Sequence, residues 1–168
     1  MEIRLAGIVN DSIVDGTGIR LTVFVQGCTH NCKGCHNPQT HDLNGGYIAD
    51  TDDILAKALE NPLLEGLTFS GGEPFLQPLP LAELAEKAHK KGFNIFCYTG
   101  FLYEDILKDE NKKKLLENVD YLIDGPFIEE QKSLLLNFRG SKNQRIINVK
   151  KSFEENRAVT ENFDTEEI

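Results

Sequence analysis

The chain has 168 residues, 40% of them apolar, and 27 acidic against 18 basic residues give a net charge of −9. That is enough material for one domain with its own core, and the composition excludes a disordered chain. No basic stripe invites a nucleic acid, no apolar run reaches the ~20 residues needed to cross a bilayer, and the N-terminus lacks the basic-then-apolar order of a secretory signal. No nucleic-acid or membrane partner is therefore expected, and the expected location is cytoplasmic, where clustered cysteines serve as metal ligands or redox groups more often than as disulfides.

In chain order, residues 21–26 are nearly all apolar or β-branched and read as a strand. Thr51 is placed to cap a helix carrying Ile54, Leu55, Ala58 and Leu59 on one side. A second strand covers residues 67–69. Pro80 is placed to open a second helix, whose apolar face is Leu81, Leu84, Ala85 and Ala88, and Gly92 to end it. Strands follow at 95–99, 121–123 and 146–149, with a weaker helical pattern over 103–116. From Lys150 the chain is polar and acidic, with only Phe153 and Phe163 as large apolar groups, and a peripheral or frayed tail is expected.

Apolar strands alternating with amphipathic helices predict an α/β fold built on a parallel sheet. A closed eight-unit barrel needs at least ~200 residues. At roughly 30 residues per βαβ unit, this chain predicts a partial, open βα barrel of about five to six parallel strands. A doubly wound sheet fits the same pattern. No linker marks a second domain, so residues 1–168 are expected to form one.

Directly after the first strand comes Cys-Thr-His-Asn-Cys-Lys-Gly-Cys, which places Cys28, Cys32 and Cys35 on one loop at a strand's C-terminal end. α/β folds put their chemistry at that end. A cubane iron–sulfur cluster normally takes four cysteines, so three leave one iron open. Zinc, with His30, His36 or His41 as a fourth ligand, is the competing reading, although zinc loops usually come as two paired half-sites. The remaining cysteine, Cys97, lies far along the chain in a strand and reads as a small buried hydrophobe. Ser70-Gly71-Gly72-Glu73-Pro74 ends the next strand. Its glycines admit close backbone approach, and Glu73 could take an ammonium while backbone donors take a carboxylate. On its own the segment also fits an ordinary tight turn.

Taken together, the C-x3-C-x2-C run and the following Gly-Gly-Glu-Pro resemble the radical S-adenosylmethionine superfamily. That resemblance implies a partial barrel, a [4Fe–4S] cluster on Cys28, Cys32 and Cys35, and S-adenosylmethionine on the open iron, cleaved by one electron to a 5′-deoxyadenosyl radical. It also implies cofactor contacts from Ser70, Gly71, Gly72 and Glu73, and from Tyr98 and Thr99 in Tyr98-Thr99-Gly100. Further segments resemble one group within it, the activating proteins of anaerobic ribonucleoside-triphosphate reductases: Asp15-Gly16-Thr17-Gly18-Ile19-Arg20, Cys35-His36-Asn37-Pro38, Asp124-Gly125-Pro126-Phe127 and Phe138-Arg139-Gly140-Ser141. The implied partners are the large glycyl-radical subunit of such a reductase and a low-potential electron donor such as flavodoxin. No acid–base residue is implied, since the chemistry belongs to the cluster. Two departures stand out: Thr17 replaces a common proline, and Gly34 replaces a common aromatic.

Other residues carry two readings each. Asp15 to Arg20 is a ligand-facing loop or a tight turn feeding the first strand. Asp120 and Asp124 touch a cofactor or are ordinary strand-end carboxylates. Arg139 and Arg145 grip a carboxylate or a partner, or lie plainly on the surface. His89 is expected to be solvated. Two rival functions stay open on sequence alone: a radical enzyme acting on a small molecule, such as a deazapurine-forming synthase, and a zinc-binding interaction module.

Overall fold

The computed structural model describes residues 1–164. Among them one sheet holds seven strands: β1 (Glu2–Ser12), β2 (Arg20–Val25), β3 (Tyr47–Asp50), β4 (Gly66–Gly71), β5 (Asn94–Tyr98), β6 (Tyr121–Asp124) and β7 (Arg145–Asn148). Their order is β3-β1-β2-β4-β5-β6-β7, so β3 and β7 are its two edges. Strands β2, β4, β5 and β6 run parallel. Strand β1 lies antiparallel to β2 and β3, and β7 antiparallel to β6.

Four parallel strands thus replace the expected five to six. The segment 146–149 does form a strand, but residues 125–144 supply no α-helix to carry the chain back across the sheet, so β7 returns antiparallel. Strands β1 and β3 went unread because their faces are mixed. Only Ile3, Leu5 and Ser12 of β1 are buried, and Tyr47 and Ile48 of β3 are exposed.

The period of two along each strand separates two faces. Leu21, Val23, Val25, Leu67, Phe69, Ile95, Cys97 and Leu122 point to one side. There they meet α1 (Thr51–Leu59), α2 (Pro78–Lys90), α3 (Tyr103–Ile106), α4 (Glu110–Leu116) and α5 (Val149–Glu155), whose buried residues include Ile54, Ala58, Leu81, Leu84, Ala85, Ala88, Ile106, Leu115 and Val149. The opposite side carries a second cluster of Phe96, Ile123 and Ile146 with Tyr98, Tyr121, Phe138 and Phe163, to which no helix contributes.

Local details depart from the sequence reading at several points. Helix α1 is capped by Asp50, whose Oδ1 accepts from Asp52 N at 2.8 Å, while Thr51 Oγ1 accepts from the N-terminal amine at 3.1 Å. Helix α2 starts at Pro78. The pattern over 103–116 divides because Asp109 caps α4 through Lys112 N at 3.0 Å. The C-terminal segment is no frayed tail up to residue 164. It forms α5, pairs Asn148 N with Val159 O (2.8 Å) and Glu161 N with Ile146 O (2.8 Å), and lays Phe163 on Tyr121 and Phe138. The rest of that segment, residues 165–168, lies outside the described residues.

Arg20 sits fully buried on the helix-free face. Its guanidinium donates to Thr68 Oγ1 (2.8 Å), Leu67 O (2.9 Å), Thr17 O (2.9 Å) and Asn94 O (3.2 Å), and lies 4.5 Å from the Phe96 ring centre. Burial lowers its pKa to about 10, against the pull of Glu65 and Asp120. Thr68 Oγ1 in turn donates to Asp15 O, and the Asp15 carboxylate accepts from Ser12 and Thr22. The loop of residues 15–20 is therefore an anchored turn, and Asp15 also borders the cavity described next.

Candidate functional site

The loop after β2 is built from the backbone outward. Gly27 N donates to Thr40 O (2.6 Å) and Cys28 N to His41 O (3.2 Å), and the Gln26 side chain donates to Gln39 O and Asp42 O. These bonds close residues 27–41 into a loop whose three free cysteines are half-buried. Cys28, Cys32 and Cys35 all face one cavity of about 800 Å³. Asn37 N donates to the Cys35 sulfur at 3.4 Å, and His41 Nε2 lies 3.3 Å from the same atom. The His30 backbone N–H draws the Cys28 thiol pKa down. Burial nevertheless pushes the Cys28 thiol pKa up, with Glu73 and the other two thiols adding to the rise.

The Ser70-Gly71-Gly72 turn ends β4 and lines the same cavity. Its glycines answer to crowding by the neighbouring strand. A Cβ on Gly71 would sit 2.6 Å from the Val25 backbone, and one on Gly72 would sit 2.3 Å from Gly27 O. Gly72 N donates to Val25 O (3.0 Å) and Glu73 N to Gly27 O (2.7 Å), so the turn is laced to the root of the cysteine loop. Tyr98 and Thr99, at the end of β5, complete this wall. Burial raises the Tyr98 phenol pKa far above its ordinary value, and Asp15 adds to the rise.

Glu73 departs from its expected place. It is buried and is not part of the cavity wall. Its carboxylate accepts from Thr99 Oγ1 (2.8 Å), Gly100 N (2.8 Å), Phe75 N (2.9 Å) and His30 Nε2 (2.5 Å). Three of these donors meet Oε1, while Oε2 takes Phe75 N and a second, 3.0 Å contact from Thr99 Oγ1, so both oxygens are engaged by the protein itself.

Other candidates separate cleanly. Cys97 is fully buried on the helix side, away from the cavity, and its thiol pKa is pushed well up by desolvation. Arg145 is held by Asp124 and Glu104, and Arg139 by Asp164, Lys142 O and Gln144 O, so neither is a bare cation awaiting a partner. Asp124 is buried between Arg145 and Tyr103 N. Asp120 accepts from Ile95 N and His89 Nε2. His89 is therefore paired, not merely solvated. Of the three loop histidines, His41 meets a thiol, His30 meets Glu73, and His36 packs on Phe127 at 4.9 Å. The particular partners of His30, His41 and Gln26 are set by folding and leave no periodic trace in the sequence.

The donor set suits an iron–sulfur cluster. Three soft thiols from one loop face one cavity, a backbone N–H reaches the Cys35 sulfur, and the fourth cysteine stands apart. Among the described residues, no three His, Cys, Asp or Glu side chains converge as they would on a single ion.

Comparison with known proteins agrees with this chemistry. The family described as "4Fe-4S single cluster domain" matches residues 14–147. The chain is 37% identical over 145 residues to the anaerobic ribonucleoside-triphosphate reductase-activating protein of Haemophilus influenzae, covering 80% of this chain and 90% of that protein. Against the protein of the same name from Vibrio cholerae the identity is 36% over 143 residues, with the same coverage of 80% and 90%. Among solved structures, the chain shares its fold with the crystal structure of QueE from Escherichia coli, at a TM-score of 0.52 and 16% identity, over 74% of this chain and 71% of that one.

Proposed function

The chain belongs to the family of anaerobic ribonucleoside-triphosphate reductase-activating proteins, and from that premise we propose that it activates such a reductase as a radical S-adenosylmethionine enzyme. Cys28, Cys32 and Cys35 would hold three irons of a [4Fe–4S] cluster. Ser70, Gly71 and Gly72, with Tyr98 and Thr99, would line the seat of S-adenosylmethionine, while Glu73 serves that seat from behind by fixing the turn. When bound, the cluster supplies one electron that splits the sulfonium, and the radical so released takes hydrogen from a backbone glycine of the large reductase subunit. The protein's share is to bind, orient and exclude water. Phe24, Phe127 and Phe138 give the cavity an apolar flank for that purpose.

The observation that carries the reading is the meeting of three free thiols and the Gly71–Gly72 turn at one cavity, with Cys97 sealed in the core. A second observation favours a protein substrate over a small molecule. The cavity lining includes exposed Ile13 and Val14 on the β1–β2 connection and half-buried Leu136, which is followed back along the loop before β7 by exposed Leu135 and Leu134. An apolar rim suits a polypeptide segment and exceeds what a small polar metabolite needs. We read the open sheet, whose β3 and β7 do not meet, as a partial barrel within a single domain that leaves a side free for that segment. A low-potential donor such as flavodoxin would supply the electron. Among the described residues no helix is long and apolar enough to cross a membrane, which accords with a cytoplasmic setting.

The test is direct. The anaerobically reconstituted protein, given S-adenosylmethionine and a strong reductant, should install a glycyl radical on an anaerobic ribonucleotide reductase, read by electron paramagnetic resonance. A colourless protein carrying zinc, or one that cleaves S-adenosylmethionine without ever producing that radical, would refute the proposal.

A further inference from the structure

The most heavily bonded side chain at the site is the one that does not face it. Glu73 binds donors from three separate segments: its own turn through Phe75 N, the end of β5 through Thr99 and Gly100, and the cysteine loop through His30. The last ties down the cysteine loop, whose residues 27–37 form no helix or strand. His30 stands between Cys28 and Cys32, and the surrounding structure is shaped to its ring. Phe101 packs edge-on at 4.6 Å. Gly100 leaves the space that a Cβ would deny, since that atom would lie 2.6 Å from the imidazole.

We infer that His30 and Glu73 form a positioning pair: the carboxylate locks the imidazole, and the locked imidazole holds the Cys28–Cys32 span in the geometry a cluster requires. The inference rests on the reading that these thiols hold a cluster, and it gives Glu73 a task other than meeting S-adenosylmethionine. Hydrogen bonds to cluster sulfurs help set the reduction potential, and groups that orient metal ligands govern retention of the metal. Losing the tether should therefore loosen the loop, lower the potential and speed cluster loss.

The experiment uses the full chain as wild type, His30→Ala, His30→Gln, Glu73→Gln and the His30→Ala/Glu73→Gln double variant. Amide hydrogen exchange over residues 27–36 is measured with and without reconstituted cluster, and the midpoint potential is measured on the loaded protein. His30→Ala should speed exchange in the loop at least about tenfold, equivalent to ~1.4 kcal/mol, and shift the potential downward. Glu73→Gln should reproduce both effects, and the double variant should add nothing further. His30→Gln, which restores an N–H donor near the Nε2 position, should recover both. Loop exchange in His30→Ala within about twofold of wild type, additive effects of the two single changes, or no recovery by His30→Gln would overturn the pairing. Should Glu73→Gln fail to fold, the two His30 variants decide the matter alone. If the wild type takes up no iron or sulfide, the proposed function fails, while exchange in the metal-free chain still judges the tether.

Discussion

Replacing Gly72 by alanine should disable the site through a purely steric route. Gly72 has no left-handed backbone, so strain of that kind does not enter. The added Cβ would lie 2.3 Å from Gly27 O and 2.8 Å from Gly27 C, atoms of a backbone that cannot rotate away. Gly27 is held in turn by its N–H bond to Thr40 O at 2.6 Å, so displacing it drags the root of the cysteine loop. Overpacking of this kind costs about 1–3 kcal/mol, and a backbone obstacle places Gly72→Ala at the upper end. Two other glycines separate the contributions. Gly92 ends α2 with φ +88° and nothing within 4 Å of a built Cβ, so Gly92→Ala should cost only the left-handed penalty of about 1–2 kcal/mol. Gly7 has neither problem, and Gly7→Ala should lie within about 0.5 kcal/mol of wild type. Urea denaturation of the reconstituted protein, compared through midpoints at constant slope, measures all three. Iron and sulfide content should fall for Gly72→Ala alone. A Gly72→Ala protein as stable as Gly7→Ala, with full iron content, would refute the reasoning.

Changing Cys28, Cys32 or Cys35 to alanine should abolish cluster assembly, whereas Cys97→Ala should retain the iron and cost about 1 kcal/mol of packing; iron analysis and urea denaturation decide. Arg20→Met fills the space but strands the carbonyls of Thr17, Leu67 and Asn94, and should destabilise by about 3 kcal/mol in the same denaturation assay. The Asp120 carboxylate raises the His89 pKa above its ordinary value through their 2.7 Å bond. A raised folded-state value means stabilisation present at pH below the unfolded pKa of about 6.5 and lost as pH climbs through the folded pKa. His89 is about a third exposed, so the contribution should stay below about 1 kcal/mol. His89→Gln should flatten that part of the stability–pH curve, and an unchanged curve would remove the ion pair from consideration.

Much of the functional reading was legible because it is local. Three cysteines within eight residues must share a loop, and two glycines after an apolar strand must make a tight turn. The helices over 51–59 and 78–90 announced themselves by apolar spacing. Cys97 could be set aside because its neighbours are strand residues. The direction of β7 and the existence of β1 and β3 were not legible, since pairing partners are chosen across the fold and leave no period in a mixed-face strand. The charged residues were hardest to place. Arg139, Arg145, Asp120 and Asp124 carry the same side chains whether they grip a ligand or one another, and only the folded chain puts each beside its partner.

The amino-acid order alone determined which atoms can bind metal and at which end of a strand they emerge, because spacing of a few residues is enforced by the covalent chain. What folding alone decided is which groups Glu73 meets. Its partners His30, Thr99 and Gly100 lie 43, 26 and 27 residues away. Separations of that size become contacts only when β2, β4 and β5 align side by side, so the donors that meet a carboxylate at position 73 are chosen by the sheet and not by its neighbours in sequence.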